Sequence, residues 1–192
     1  MSIIQSIEIF AAVTGVAYVV LEILQHRSMW YVGIATGAAC AFSFAVQGLY
    51  ASMGLNVYYV AMSFIGLYRW RADAAEAPQA KIHLRKLPLG VALWSAAAMV
   101  LLTAALSFLL RWMGDSMTVP DAAVAVLSAI ATFWLTRCYL EQWGLWIVAD
   151  LMSTALCIFS GMYWMAALYF VYAASAVYGL YHWKKEGEYI YA

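Results

Sequence analysis

A long run of the chain, from Ser28 to Tyr68, contains no Asp, Glu, Lys or Arg. One helix of that length would be about 60 Å long, which is twice the thickness of the hydrocarbon core of a bilayer. The run therefore predicts two membrane-spanning helices with a turn near Gln47. A second uncharged run, from Leu151 to Trp183, divides in the same way near Ser160.

The composition excludes several classes of protein. Of the 192 residues, 67% are hydrophobic and 10% are charged, whereas a soluble domain is roughly 45–50% apolar and about 25% charged. The net charge is zero, so there is no basic field for nucleic acid. The sequence has no P-loop, no catalytic Ser-His-Asp arrangement and no spacing typical of metal ligands. We therefore expect neither an enzyme nor a bound metal or cofactor.

We predict an all-α integral membrane protein with seven transmembrane helices. The predicted helices cover residues 6–25, 29–47, 50–70, 87–111, 120–137, 143–160 and 163–183. Nine of the ten Lys and Arg residues then lie on the face that also holds the C-terminus, and Arg111 lies on the other face. The excess of basic residues on cytoplasmic loops predicts an external N-terminus and a cytoplasmic C-terminus. Glu22 is expected near the cytoplasmic edge, as an ion pair with Arg27.

The second half of the sequence resembles the first. Residues 26–70 align with residues 139–183 without a gap, and the identical positions include two tryptophans and two glycines in each copy. We predict one transmembrane domain, residues 1–192, with repeat one over about 6–70, a linker helix over about 87–111 and repeat two over about 120–183. Units four helices apart run in the same direction, so this 3+1+3 arrangement is a parallel repeat, as in SWEET transporters.

Asp150 is the polar residue that is hardest to explain in a lipid-facing position. It lies about two turns inside the sixth predicted helix, with no basic residue within a turn of it. Trp143, Trp146 and Ser153 share its stripe on the helix, at i, i+3, i+7 and i+10. Similar stripes on the seventh helix and on its repeat mate add tyrosines and an asparagine. The candidate solute-binding residues are Gln142, Trp143, Trp146, Asp150, Ser153, Tyr169, Tyr172, Asn56 and Tyr59.

These side chains suit a flat, cationic, hydroxylated solute. Aromatic faces stack on a ring and attract a cation, and a carboxylate neutralises positive charge. Each residue also has a plainer interpretation. The tryptophans near helix ends, Trp70 and Trp183 above all, are expected to belong to an interfacial aromatic belt. Asn56 can bond between helices, and Asp150 can be structural.

The stretch from Thr136 to Asp150, which contains Trp-x-x-Trp-x-x-x-Asp, resembles the signature of PnuC-type vitamin transporters. Ser160-Gly-Met-Tyr163 and Gly66-Leu-Tyr-Arg-Trp70 strengthen the resemblance, which covers nearly the whole chain. It implies seven helices in a 3+1+3 arrangement, a homotrimer in a bacterial inner membrane, and facilitated diffusion of nicotinamide riboside followed by trapping through cytoplasmic phosphorylation.

The resemblance also implies a site between the repeats. Trp143, Trp146 and Tyr172 would stack on the solute ring, and Gln142, Asp150, Asn56 and Tyr59 would make polar contacts. Some relatives have Asn at the position of Asp150, which leaves the solute open. Nicotinamide riboside and thiamine are both flat cations, relatives carry riboflavin or deoxynucleosides, and a membrane scaffold without a solute pathway is the alternative from another class.

Overall fold

The computed structural model describes residues 3–48, 50–112 and 118–190, which form seven α-helices and two short strands. In chain order the elements are α1 (Ile3–Ile23), α2 (Ser28–Val46), α3 (Tyr50–Glu76), β1 (Ile82–Leu84), α4 (Leu89–Trp112), α5 (Thr118–Leu135), α6 (Gln142–Phe159), α7 (Tyr163–Glu186) and β2 (Gly187–Tyr189). Every predicted helix is present, and the prediction of an all-α architecture is confirmed apart from the small sheet.

Four of these helices, α2, α4, α6 and α7, are long and apolar enough to cross a membrane by length and composition. Two further apolar stretches, Val13–Ile23 in α1 and Val119–Leu135 in α5, are shorter. Polar residues of α1, α3 and α5 face the interior of the helix assembly, where they line a cavity described below.

The helices form two groups of three that meet along two contacts. In the first group α2 packs against α1 and α3, and in the second α6 packs against α5 and α7. The groups touch where α1 meets α7 and where α3 meets α5. Helix α4 packs against α5, and none of its residues is buried in the described chain.

The connector between α3 and α4, residues 77–88, departs from the prediction. Helix α3 continues to Glu76, because the alanine-rich stretch beyond Trp70 favours helix up to the residues before Pro78. Strand β1 then pairs in parallel with β2, which follows the last helix. Both backbone groups of His83 bond to the side chain of Gln25, with N–O distances of 2.6 and 2.9 Å.

A polar cluster holds the same connector against the helices. Arg85 Nη2 lies 2.6 Å from Asp73 Oδ1, and Cys138 Sγ donates to Asp73 Oδ2 over 3.5 Å. The hydrogen bond from Arg85 to Asp73 raises the pKa of the guanidinium. Burial, followed by the charge of Asp73, raises the pKa of the Cys138 thiol well above its ordinary value. The arginine is therefore charged and the thiol protonated at neutral pH.

Four tryptophans form the centre of the apolar core near the connector. Trp30 and Trp70 pack edge to face with ring centroids 5.0 Å apart, and Trp143 and Trp183 do the same at 5.4 Å. The Trp70 and Trp183 rings lie 6.3 Å apart and join the two pairs. Because Trp70 is 3% exposed and Trp183 is fully buried, the prediction of an aromatic belt for these two residues is wrong.

Two indole donors of this tryptophan cluster, those of Trp70 and Trp183, bridge the two groups of helices. Trp70 Nε1 donates to the carbonyl oxygen of Leu135, over 3.2 Å. Trp183 Nε1 donates to the carbonyl oxygens of Glu22 and Ile23, over 3.2 and 3.0 Å. In each case an indole of one group bonds to carbonyls in the last turn of a helix in the other group, where carbonyls lack a partner inside their own helix.

Candidate functional site

A cavity of about 720 Å³ lies between the two groups of helices. This volume is within the range of about 300–1,000 Å³ typical of small-molecule sites. Its lining comes from α1, α2 and α3 on one side and from α5, α6 and α7 on the other. The structure brings eight of the nine predicted site residues to its wall: Trp143, Trp146, Asp150, Ser153, Tyr169, Tyr172, Asn56 and Tyr59.

Helix α6 supplies the stripe that the spacing predicted. Trp143, Trp146, Asp150 and Ser153 all face the cavity, because residues three and four apart lie on one side of a helix. Trp143 is 1% exposed and packs into the tryptophan cluster, so it closes the end of the cavity that is nearer the connector. The indole nitrogens of Trp143 and Trp146 have no hydrogen-bond partner among the described residues.

Among the residues that the structure describes, the carboxylate of Asp150 has no counter-ion. The residue is 9% exposed, and no hydrogen bond or ion pair joins its carboxylate to another described side chain. Tyr169 and Tyr172 are its neighbours on α7, with their rings packed edge to face 6.3 Å apart. A carboxylate with aromatic rings beside it is an arrangement that attracts an organic cation.

Several polar side chains on the cavity wall already donate a hydrogen bond within the protein. Ser63 Oγ donates to the Tyr59 carbonyl over 2.8 Å, and Ser153 Oγ donates to the Ala149 carbonyl over 2.9 Å. The Asn56 amide donates to the Ser52 carbonyl over 2.9 Å. What these groups offer to a solute is chiefly their oxygen lone pairs. The wall therefore offers acceptors from these side chains, and donors from the unpartnered indole nitrogens of Trp143 and Trp146.

Gln142 is the one predicted site residue that the structure does not place on the cavity wall. It is the first residue of α6 and is fully buried beside Glu22, so its side chain points into protein and not into the open space. Neither its amide nitrogen nor its amide oxygen has a hydrogen-bond partner among the described residues.

The sequence analysis missed several lining residues, of which Glu22 matters most. It is 4% exposed and lies on the cavity wall, and within the described chain it forms no ion pair with Arg27. The predicted pair is wrong because Glu22 faces inward from the last turn of α1, whereas Arg27 is exposed beyond the turn. The other polar lining residues missed are Thr14, Tyr18, Thr36, Ser63, Asp121, Ser128, Thr132 and Ser160.

Comparison with known proteins shows the family of the protein that contains this cavity. Residues 5–185 match the sequence profile of the family described as nicotinamide mononucleotide transporter. The chain belongs to this transporter family. The predicted resemblance to PnuC-type vitamin transporters is thereby confirmed, and the chain is a membrane transporter and not an enzyme.

Individual relatives agree with the family assignment. The chain is 26% identical to the nicotinamide riboside transporter PnuC of Escherichia coli, over 92% of this chain and 84% of that protein. It is 28% identical to the same transporter of Neisseria mucosa, over 91% and 70% of the two chains. It is also 26% identical to the riboflavin/roseoflavin transporter RibM of Streptomyces davaonensis, over 82% and 76%.

A solved structure has the same fold. It is a crystal structure of the vitamin B3 transporter PnuC, which superposes with a TM-score of 0.71 at 28% identity and covers 92% of this chain and 79% of that one. The protein is therefore a multi-pass helical protein of a bacterial membrane.

Proposed function

We propose that the protein takes up nicotinamide riboside by facilitated diffusion, as an alternating-access carrier that hydrolyses no ATP. The cavity carries the proposal: Trp146 and Tyr172 line it together with Asp150, and Trp143 closes one end of it. Trp143, Trp146 and Tyr172 would stack on the solute ring. Asn56, Tyr59, Ser153 and Tyr169 offer polar groups to the ribose and the amide, and Gln142 supports the wall from behind. The relatives named nicotinamide riboside transporter support the same solute.

The charges around the cavity favour a riboside over a phosphorylated nucleotide. No Lys, Arg or His is among the described residues that line it, whereas Glu22, Asp121 and Asp150 are. A phosphate would have to enter beside three carboxylates without a cation among those residues to balance it. Entry without the phosphate also fits trapping, in which a cytoplasmic kinase phosphorylates the riboside and prevents its return.

Thiamine on the same scaffold is the second candidate. It too is a flat cation, and the Trp146–Asp150 pair suits its ring as well as that of nicotinamide riboside. Riboflavin fits less well, since a neutral ring leaves the carboxylates unbalanced.

Binding by the purified protein tests the proposal. Isothermal titration with nicotinamide riboside, thiamine and riboflavin, together with quenching of tryptophan fluorescence, should give the tightest binding for nicotinamide riboside. Uptake of the bound solute into proteoliposomes without ATP should follow. No binding of either cation would contradict the carrier hypothesis and favour a membrane scaffold.

We further propose that the 3+1+3 arrangement is a parallel duplication and that the two units rock around the cavity. Equivalent positions of the two units, in the register that aligns residue 26 with residue 139, support it. Left-handed backbone occurs at Gln25 and Cys138, with φ of 48° and 56°, and again at Gly48 and Gly161, with φ of 75° and 72°. The carbonyls of Glu22 and Leu135, which accept from Trp183 and Trp70, are equivalent in the same register.

The membrane orientation and the assembly also remain proposals. All seven helices would cross the membrane, with the N-terminus outside and the C-terminus and connector in the cytoplasm, as the basic residues of the connector suggest. Accessibility of single introduced cysteines to a membrane-impermeant reagent tests this. A homotrimer would cover part of α4, which has no buried residue in the described chain, and native mass spectrometry tests the subunit number.

A further inference from the structure

Glu22 is a buried carboxylate without a counter-ion in the described part of the chain. Its Oε1 atom is inaccessible to solvent and has no hydrogen-bond partner among the described residues. A buried carboxylate costs several kcal/mol unless it is paired or hydrogen-bonded. Such a group in a transporter cavity calls for an explanation beyond packing.

The backbone carbonyl of Glu22, and not its side chain, joins the two groups of helices at this position. Its carbonyl accepts from Trp183, and the carbonyl of Leu135 accepts from Trp70 in the corresponding place of the other helix group. Leu135 makes this contact with an apolar side chain. The carboxylate of Glu22 is therefore not needed to join the two groups of helices.

The surroundings of Glu22 form part of the solute cavity. The residue lines it together with Asp150 and with Trp143 and Trp146, whose indole donors are unpartnered among the described residues. Tyr18, one turn earlier on α1, also lines the cavity. A single positive charge on the solute balances the carboxylate of Asp150, so the carboxylate of Glu22 requires a hydrogen-bond donor as well.

We propose that Glu22 is a second solute-binding carboxylate, and that with Asp150 it selects a cationic ring carrying an N–H donor over the same ring without its charge. This inference rests on the proposed carrier function and specifies what its site recognises. The cation lies against the indoles near Asp150, and an amide or amino group of the solute donates to Glu22.

The test compares a charged solute with its neutral counterpart. Nicotinamide riboside has a pyridinium ring, and its dihydro form has the same amide and ribose on an uncharged ring. Isothermal titration of the full-length protein in detergent should show that Glu22→Gln weakens binding of nicotinamide riboside about tenfold, as loss of a charge-assisted hydrogen bond requires. Binding of the dihydro form should weaken less, because it loses the hydrogen bond from the same amide but has no ring charge for the carboxylate to attract.

Two further variants make the result specific. Glu22→Asp keeps the charge and should retain preference for the charged ring, which keeps the proposal testable if Glu22→Gln does not fold. Glu141→Gln removes an exposed carboxylate near the start of α6 and should bind like the wild type.

An unchanged preference for the charged ring in Glu22→Gln overturns this proposal and leaves the carrier function standing. The same holds if Glu22→Asp loses the preference while Glu22→Gln keeps it. If the wild type binds neither nicotinamide riboside nor thiamine, the proposed function fails and the role of Glu22 fails with it.

Discussion

Gly179 on α7 lies directly against the indole of Trp143 on α6: a Cβ atom built on the glycine would be 2.4 Å from the ring. No side chain fits there unless Trp143 moves, and Trp143 is packed against Trp183 and closes one end of the cavity. The absence of a side chain at Gly179 is thus what allows the aromatic wall to take its position.

Gly179→Ala should therefore destabilise the protein and weaken solute binding together. Overpacking of a tight core typically costs about 1–3 kcal/mol, and the displaced indole would enter the cavity. Thermal unfolding followed by tryptophan fluorescence, with titration of nicotinamide riboside, measures both effects. Gly144→Ala on α6 is the matched control, because nothing lies within 4 Å of its added Cβ. Equal stability of the two variants would contradict the tight packing.

Trp146→Ala and Asp150→Asn should each reduce uptake by about tenfold or more while the protein is still made and folded. The first removes a ring face for stacking and the second removes the charge that attracts the cation. Proteoliposome uptake measures the loss. Trp164→Ala is the matched control, since this indole is 92% exposed on α7 and should not affect uptake. Wild-type transport by either variant would remove that residue from the proposed site.

Much of this site could be predicted because long uncharged runs define helices and helical spacing defines their faces. The stripe of Trp143, Trp146 and Asp150 follows from a period of 3.6 residues alone. Which helix faces the stripe does not follow, since that depends on packing between segments far apart in the chain.

Glu22 shows where prediction from sequence reaches its limit. Its place near a helix end and shortly before Arg27 favours an exposed ion pair, and only the rotation of α1 about its axis turns it inward. The prediction for Trp70 and Trp183 is wrong for the same reason, because a tryptophan at a helix end has the same local sequence in an aromatic belt and in a core. Strand β1 spans only Ile82–Leu84, which is too short for a periodic signal.

Cys138 should resist alkylation in the folded protein over a wide pH range. Burial raises the pKa of its thiol well above the ordinary value, and the thiolate is the reactive form. In the unfolded chain a cysteine thiol has a pKa of about 8.5. Raising the pH from about 7 to about 9 should therefore accelerate labelling of the unfolded chain but not of the folded protein. Mass spectrometry after iodoacetamide treatment, with and without denaturant, checks this. Fast labelling of folded Cys138 at the higher pH would contradict the buried, protonated thiol.

The connector offers a test of how β1 is held. Gln25→Ala removes the bonds to both backbone groups of His83 and leaves an alanine at a φ of 48°. Each lost hydrogen bond costs about 1 kcal/mol. The cost of left-handed backbone at a residue with a Cβ, roughly 1–2 kcal/mol, is already present with glutamine and stays with alanine. Gln25→Gly loses the same bonds without the backbone strain, so it should be less destabilised than Gln25→Ala.

Cleavage of the connector by trypsin at the exposed Lys81 and Lys86 measures the result, because release of β1 frees the backbone at these sites for the protease. The rate should increase in both Gln25 variants, and the unfolding temperature should fall further for alanine than for glycine. Gln47→Ala is the matched control, since that glutamine bonds to Ser43 at the end of its own helix, α2. If Gln25→Ala is cleaved no faster than Gln47→Ala, the bonds to His83 do not hold the connector. If the Gln25→Gly variant is no more stable than Gln25→Ala, the left-handed backbone at this position has no energetic cost.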